Sequence, residues 1–216
     1  MVASFQSQSD KPRFYSKLLR EFLEFTADVL LNTLIIIGLI ILLRFIFISP
    51  FEVNGSSMVP TLEHKDYILV NKFIYRLAEP ARGDIVVLIP PHSPNTFYVK
   101  RIIGLPQEKL EFKDDQVIVR NKEFPTGIAL EEDYLLPSVI TRLASDSDKI
   151  INIPADHYFV LGDNRSASND SRSWIINSTG LTPDGSIARK QIVGKAWLNI
   201  YPFEHFKKLP DPSYSR

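Results

Sequence analysis

The run from Val29 to Leu43, VLLNTLIIIGLIILL, holds no charge and continues past Arg44 through Phe45-Ile46-Phe47-Ile48. A helix from Val29 to Ile48 rises roughly 30 Å, the thickness of a bilayer hydrocarbon core. It has no polar face, which argues against a helix packed into a soluble core. A cleaved secretory leader is the other reading, but the run is longer than a usual apolar leader segment and no A-x-A site follows it. The sequence therefore predicts a retained transmembrane anchor over 29–48. Arg44 stands near one end, where its long side chain can reach the interface, and Pro50 marks the exit.

Basic residues orient the span. Lys11, Arg13, Lys17 and Arg20 precede it, whereas apart from Arg44 only Lys65 lies comparably close on the other side. The positive-inside bias puts residues 1–28 in the cytoplasm and residues 49–216 on the trans side of the membrane. Residues 1–10 are polar and are expected to be disordered. Phe14, Leu18, Phe22 and Phe25 recur at near-helical spacing. That pattern fits either an interfacial helix or a plain extension of the anchor helix.

Beyond Pro50 the texture changes to short apolar runs cut by Pro, Gly, Asn and Asp. Tyr67–Val70, Asp84–Ile89, Phe97–Ile103, Leu110–Val119, His157–Leu161 and Gln191–Tyr201 are rich in Val, Ile, Tyr and Phe and read as strands. Arg82-Gly83-Asp84, Gly104-Leu105-Pro106, Lys113-Asp114-Asp115 and Gly162-Asp163-Asn164 supply turns between them. No helix of globular length is evident after the anchor, so the outer domain is expected to be mainly β with antiparallel pairing. Residues 121–150 are more polar and suggest an excursion from the main sheet. The 25 basic and 25 acidic residues cancel and form no basic stripe, which gives no ground for a nucleic-acid partner. The absence of cysteine removes disulfides, thiolate metal sites and cysteine nucleophiles together.

Three stretches carry residues suited to chemistry. In Val53-Asn-Gly-Ser-Ser-Met-Val-Pro-Thr-Leu62, small residues allow close backbone approach around Ser57, and nearby N–H groups suit an oxyanion. In Phe97-Tyr-Val-Lys-Arg-Ile-Ile103, strand alternation puts Lys100 on a face with Tyr98 and Ile102, while Arg101 points the other way. A lysine among apolar neighbours loses the solvation that stabilises its ammonium form, so its pKa falls, and its neutral amine can take a proton from a serine hydroxyl. In Tyr158-Phe-Val-Leu-Gly-Asp-Asn-Arg-Ser-Ala-Ser-Asn-Asp-Ser-Arg172, Asp163 and Asp170 can pair with Arg101 and Arg172 and brace a site. Each stretch alone also fits an ordinary loop or edge strand. The four histidines, His64, His92, His157 and His205, lack any nucleophile-elbow context, and no HExxH-type ligand spacing occurs.

Taken together, these stretches resemble the type I signal peptidases. Gly55–Leu62 is similar to their nucleophile box, Arg82–Leu88 to the following strand motif, Tyr98–Pro106 to the lysine box and Gly162–Arg172 to the last box. The boxes fall in the family's order, over roughly 51–106 and 153–202. The resemblance implies a coiled antiparallel β-sheet fold, with Ser57 as nucleophile and Lys100 as general base. It implies that Ser168 hydrogen-bonds the lysine amine, and that Asp163, Asp170, Arg101 and Arg172 form a structural ion-pair set. Met58, Leu62, Tyr98 and Val99 match positions lining small-residue pockets. Gly55 stands where some members carry a serine that adds an oxyanion donor. Residues 107–152 correspond to a variable insertion, short here. The implied substrates are preproteins with small residues at −3 and −1, cut beside the lipid bilayer without metal or cofactor. Two other readings stay open on sequence alone. One is a self-cleaving Ser-Lys protease of the LexA-like class, and the other is a non-catalytic membrane-tethered β-domain. Oligomeric state is not legible.

Overall fold

The computed structural model describes residues 11–136, 139–143, 150–177 and 184–210. The expected disorder at 1–10 lies outside them. The chain divides into two compact units, 1–45 and 46–216.

The first unit is helical. α1, Lys11–Phe47, is one unbroken helix. The stretch before the apolar run is therefore an extension of the anchor helix and not a separate interfacial one. From Tyr15 to Leu42 the helix is long and apolar enough to cross a membrane. Leu30, Leu34 and Ile41 are among its exposed apolar side chains.

The second unit is built from antiparallel strands. Its larger sheet contains β1 (Ile48–Glu52), β2 (Tyr67–Asn71), β3 (Ile85–Leu88), β4 (Tyr98–Gly104), β9 (His157–Leu161), β10 (Ile187–Ala188), β11 (Ile192–Tyr201) and β12 (Lys207–Lys208). The order is β1-β2-β11-β3-β4-β9-β10, with β12 also on β11. A smaller sheet has β7 (Ile128–Ala129), β6 (Gln116–Arg120), β5 (Lys109–Lys113) and β8 (Ile151–Asn152), in that order. The run read as a single strand over 110–119 is thus a hairpin, because Asp114 and Asp115 both take positive φ and turn the chain. Two short α-helices, α2 (Ile74–Leu77) and α3 (Ser171–Asn177), and two 3-10 turns, Arg189–Gln191 and Phe203–His205, complete the described elements.

The alternation of side chains explains how the central strands are buried. On β3, Ile85 and Val87 enter one apolar cluster, and Val86 and Leu88 enter another on the opposite face. On β9, Tyr158 and Val160 join that second cluster, while Phe159 and Leu161 face a third cluster shared with the smaller sheet. Both faces of these strands are covered, which is why they read as continuous hydrophobic runs.

The two sheets meet closely at Gly104, the last residue of β4. A Cβ there would lie 2.2 Å from Ile153 Cδ1, 2.8 Å from Leu110 Cδ1 and 3.0 Å from Phe159 Cβ. Gly104→Ala is expected to destabilise the protein by about 1–3 kcal/mol through overpacking. A lowered urea midpoint at unchanged m-value in detergent checks this, and a midpoint equal to that of the native chain contradicts it.

Candidate active site

β4 brings one charged side chain into an apolar setting. Lys100 is 3% exposed. Its Nζ is hydrogen-bonded to Ser57 Oγ across 2.7 Å and donates to Val99 O at 2.8 Å. The amine also lies 5.3 Å from the centre of the Tyr98 ring, in keeping with the shared strand face. Burial disfavours the ammonium form and brings the Lys100 pKa down to about 8, against the opposing pull of Asp170 and Asp163.

Ser57 sits on the loop between β1 and β2. Gly55 in this loop takes φ +111°, a conformation that L side chains rarely adopt, and a Cβ there would meet nothing within 4 Å. The backbone therefore explains the glycine better than crowding does. The Gly55 N–H donates to His64 Nδ1 at 3.1 Å, which ties the loop back on itself. From the other side, the Asn164 N–H donates to Ser57 O at 3.0 Å and its side-chain amide to Ser56 O at 3.1 Å.

The ion pairs stand behind this contact. Arg101, wholly buried, grips Asp163 through Nε at 2.8 Å and a terminal nitrogen at 2.6 Å, and donates to Gly83 O at 2.9 Å. Thr61 Oγ1 donates to the same Asp163 at 2.5 Å. Arg172 holds Asp170 through two bonds of 2.9 and 2.8 Å, and Asp170 accepts the Gly162 N–H at 3.1 Å. Breaking such a buried pair leaves an uncompensated charge, at a cost of about 3–5 kcal/mol. The two aspartates raised from the sequence thus pair one-to-one with the two arginines.

Other sequence-derived positions fall differently. Ser168 Oγ is buried and has no hydrogen-bond partner among the described residues. The expected bond to the lysine amine is not formed; the described contacts of Nζ are with Ser57 Oγ and the Val99 carbonyl. Met58, Tyr98 and Val99 line the cleft beside Ser57, about 590 Å³ in volume. Leu62 is fully buried in the core cluster with Met58 and lies outside the cleft lining. Phe51 and Phe97 line the same cleft and meet edge to face, their ring centres 5.4 Å apart. Sequence reasoning did not single out Thr61, His64, Asn164 or this aromatic pair. Thr61 and His64 carry no signal beyond their place in or beside the Gly55–Leu62 stretch.

A serine hydroxyl bonded to a shielded amine of lowered pKa, at the floor of an open cleft, is the equipment of a serine hydrolase with a lysine base. Comparison with known proteins identifies the family. Residues 26–201 match the family described as signal peptidase, peptidase S26. Signal peptidase I of Pseudomonas aeruginosa is 32% identical, covering 83% of this chain and 72% of the relative. Signal peptidase I S of Bacillus subtilis is 34% identical over 81% of this chain and 88% of the relative. Signal peptidase I P of Bacillus subtilis subsp. natto is 37% identical over the same shares, 81% and 88%. A crystal structure of a signal peptidase I from Enterococcus faecalis is 29% identical, with a TM-score of 0.41, over 55% of this chain and 97% of that one.

The chain belongs to the signal peptidase family, peptidase S26, and is a serine endopeptidase of that family. This sets aside the LexA-like reading and the non-catalytic domain.

Gly162 joins the nucleophile loop to the loop of the last box. A Cβ there would lie 2.2 Å from Ser168 Oγ and 2.4 Å from the Ser57 carbonyl oxygen. The second neighbour is backbone and cannot turn aside. Gly162→Ala is expected to displace Ser57 and lower kcat/KM about 100-fold or more. A kinetic assay of the variant at alkaline pH checks this; near-native turnover would show that the loop yields at no cost to the site.

Proposed function

We propose that this protein removes signal peptides from exported preproteins through a Ser57–Lys100 dyad, cutting after small residues at −3 and −1. The observation that carries this reading is the 2.7 Å contact between Ser57 Oγ and an amine held near pKa 8 by burial. When Lys100 is neutral, the Ser57 hydroxyl donates to Nζ. Oγ then attacks the scissile carbonyl as its proton passes to the amine. The resulting ammonium protonates the leaving amine and frees the mature N-terminus. A water molecule then attacks the acyl-serine, with Lys100 again taking the proton. The Ser57 N–H makes no hydrogen bond among the described residues, which suits it to the developing oxyanion. Ser168, whose Oγ lacks a partner, is suited to take up the lysine amine as the reaction proceeds.

The cleft suits an extended peptide. Among the described residues β1 pairs with β2 alone, and β4 pairs with β9 from Arg101 onward, so Phe51–Glu52 and Tyr98–Lys100 bring unpaired strand edges to the cleft. A substrate segment adding as a strand would alternate its side chains, with every second one facing Met58 and Val99. Small residues fit where those side chains close the floor. The anchor over 29–48, with residues 1–28 in the cytoplasm and 49–216 on the trans side, would hold this cleft beside the bilayer in which a signal peptide lies. The positive-inside bias supports that topology.

Ser57→Ala and Lys100→Met are each expected to lower preprotein processing by at least about 10⁴-fold with the fold retained. Native-like turnover by either would refute the dyad. For the pH dependence, the active base is the neutral amine, so activity is present above the Lys100 pKa and lost below it. The kcat/KM is expected to fall about tenfold per pH unit below about 8. A profile flat down to mildly acidic pH would contradict this.

A further inference from the structure

The segment between β7 and β8 lies outside the boxes, yet it reaches the arginines that order the site. The Tyr134 ring covers the Arg101 guanidinium, with Arg101 Cζ 3.9 Å from the ring centre. The Tyr134 hydroxyl donates to Glu132 at 2.5 Å. Glu132 accepts from both terminal nitrogens of Arg165, one of them at 2.9 Å. Arg165 also donates to Thr141 Oγ1 at 2.6 Å and, through Nε, to Gly162 O at 3.1 Å. Arg172 in turn donates to Arg165 O at 2.7 Å. One face of the excursion therefore holds both Arg101, the partner of Asp163, and Arg165, which braces Gly162 and Arg172.

We infer that Tyr134 and Glu132 are positioning residues, which fix the arginines that neutralise Asp163 and Asp170 and so tune the general base. This rests on the dyad reading above. The charged groups bearing on Lys100 are Asp163 and Asp170, from the loop after β9. Their direct partners are Arg101 and Arg172, and Arg165 also feels Asp163. The two residues act with opposite sign. Without the Tyr134 ring, Arg101 is held less firmly against Asp163, and the less neutralised carboxylate favours the ammonium. Without the Glu132 charge, Arg165 is drawn more strongly to Asp163, whose field at Lys100 weakens.

The test is the pH dependence of kcat/KM for the full chain in detergent, on a peptide spanning a cleavage site with small residues at −3 and −1. Tyr134→Leu is expected to move the acid limb up by about half a pH unit, and Glu132→Gln to move it down by a similar amount. At neutral pH that is about a threefold loss for the first and a threefold gain for the second, with little change at alkaline pH. Limbs that stay in place, or that move in the same direction, overturn the inference while leaving the dyad intact. A native enzyme with no acid limb overturns both and traces the failure to the dyad. If Tyr134→Leu does not fold, the isosteric Glu132→Gln decides: a lowered limb supports the inference, and an unmoved one rejects it.

Discussion

An amine kept out of water is the condition on which the rest of the molecule depends. A lysine in solvent holds its proton far above neutral pH and cannot accept another from a serine hydroxyl. At 3% exposure, Lys100 meets a low-polarity surrounding that disfavours its charged form. Two carboxylates, Asp170 and Asp163, pull the other way. Were they unneutralised, their fields would favour the ammonium more strongly. The bidentate arginine pairs keep both carboxylates in place as braces while blunting their effect on the amine.

The fold supplies that condition through strand geometry. β4 is central in the larger sheet, with β3 on one side and β9 on the other. Successive side chains leave it on opposite faces, so Lys100 and Arg101 separate into two tasks. Arg101 turns toward Asp163 and becomes part of the core. Lys100 turns toward the loop of Ser57. That loop is held by backbone contacts from Asn164 and closed on itself through His64, so the hydroxyl is placed without the serine having to be buried. The same arrangement leaves strand edges open on both sides of Ser57.

Much of this was legible in the residues. The apolar run follows from residue type and length, and Asp163 and Asp170 are residues able to pair with Arg101 and Arg172, whereas the four boxes are legible only through their resemblance to the signal peptidases. The misses have physical causes. β1 was not read as a strand because Ile48–Glu52 carries Pro50 and continues the apolar run of the helix before it. An edge strand tolerates that proline, since its outer side needs no ladder bond. The hairpin at 109–120 merged into one strand because both arms are apolar and only Asp114 and Asp115 separate them. The Ser168 contact rests on family resemblance alone, and its Oγ has no hydrogen-bond partner among the described residues. Tyr134 and Glu132 were invisible because polar residues in an irregular segment announce no partner. Glu132 meets Arg165 from 33 positions away, a distance over which sequence pattern carries no register.

The acidity of a single side chain tests this picture most directly. Lysine ε-nitrogens labelled with ¹⁵N in the full-length protein in detergent, with Lys100 assigned by its absence in Lys100→Met, can be followed by NMR across alkaline pH. The Lys100 resonance should titrate with a midpoint of about 8. A midpoint at the ordinary lysine value of 10.5 would mean that the amine is charged under working conditions and is not the base.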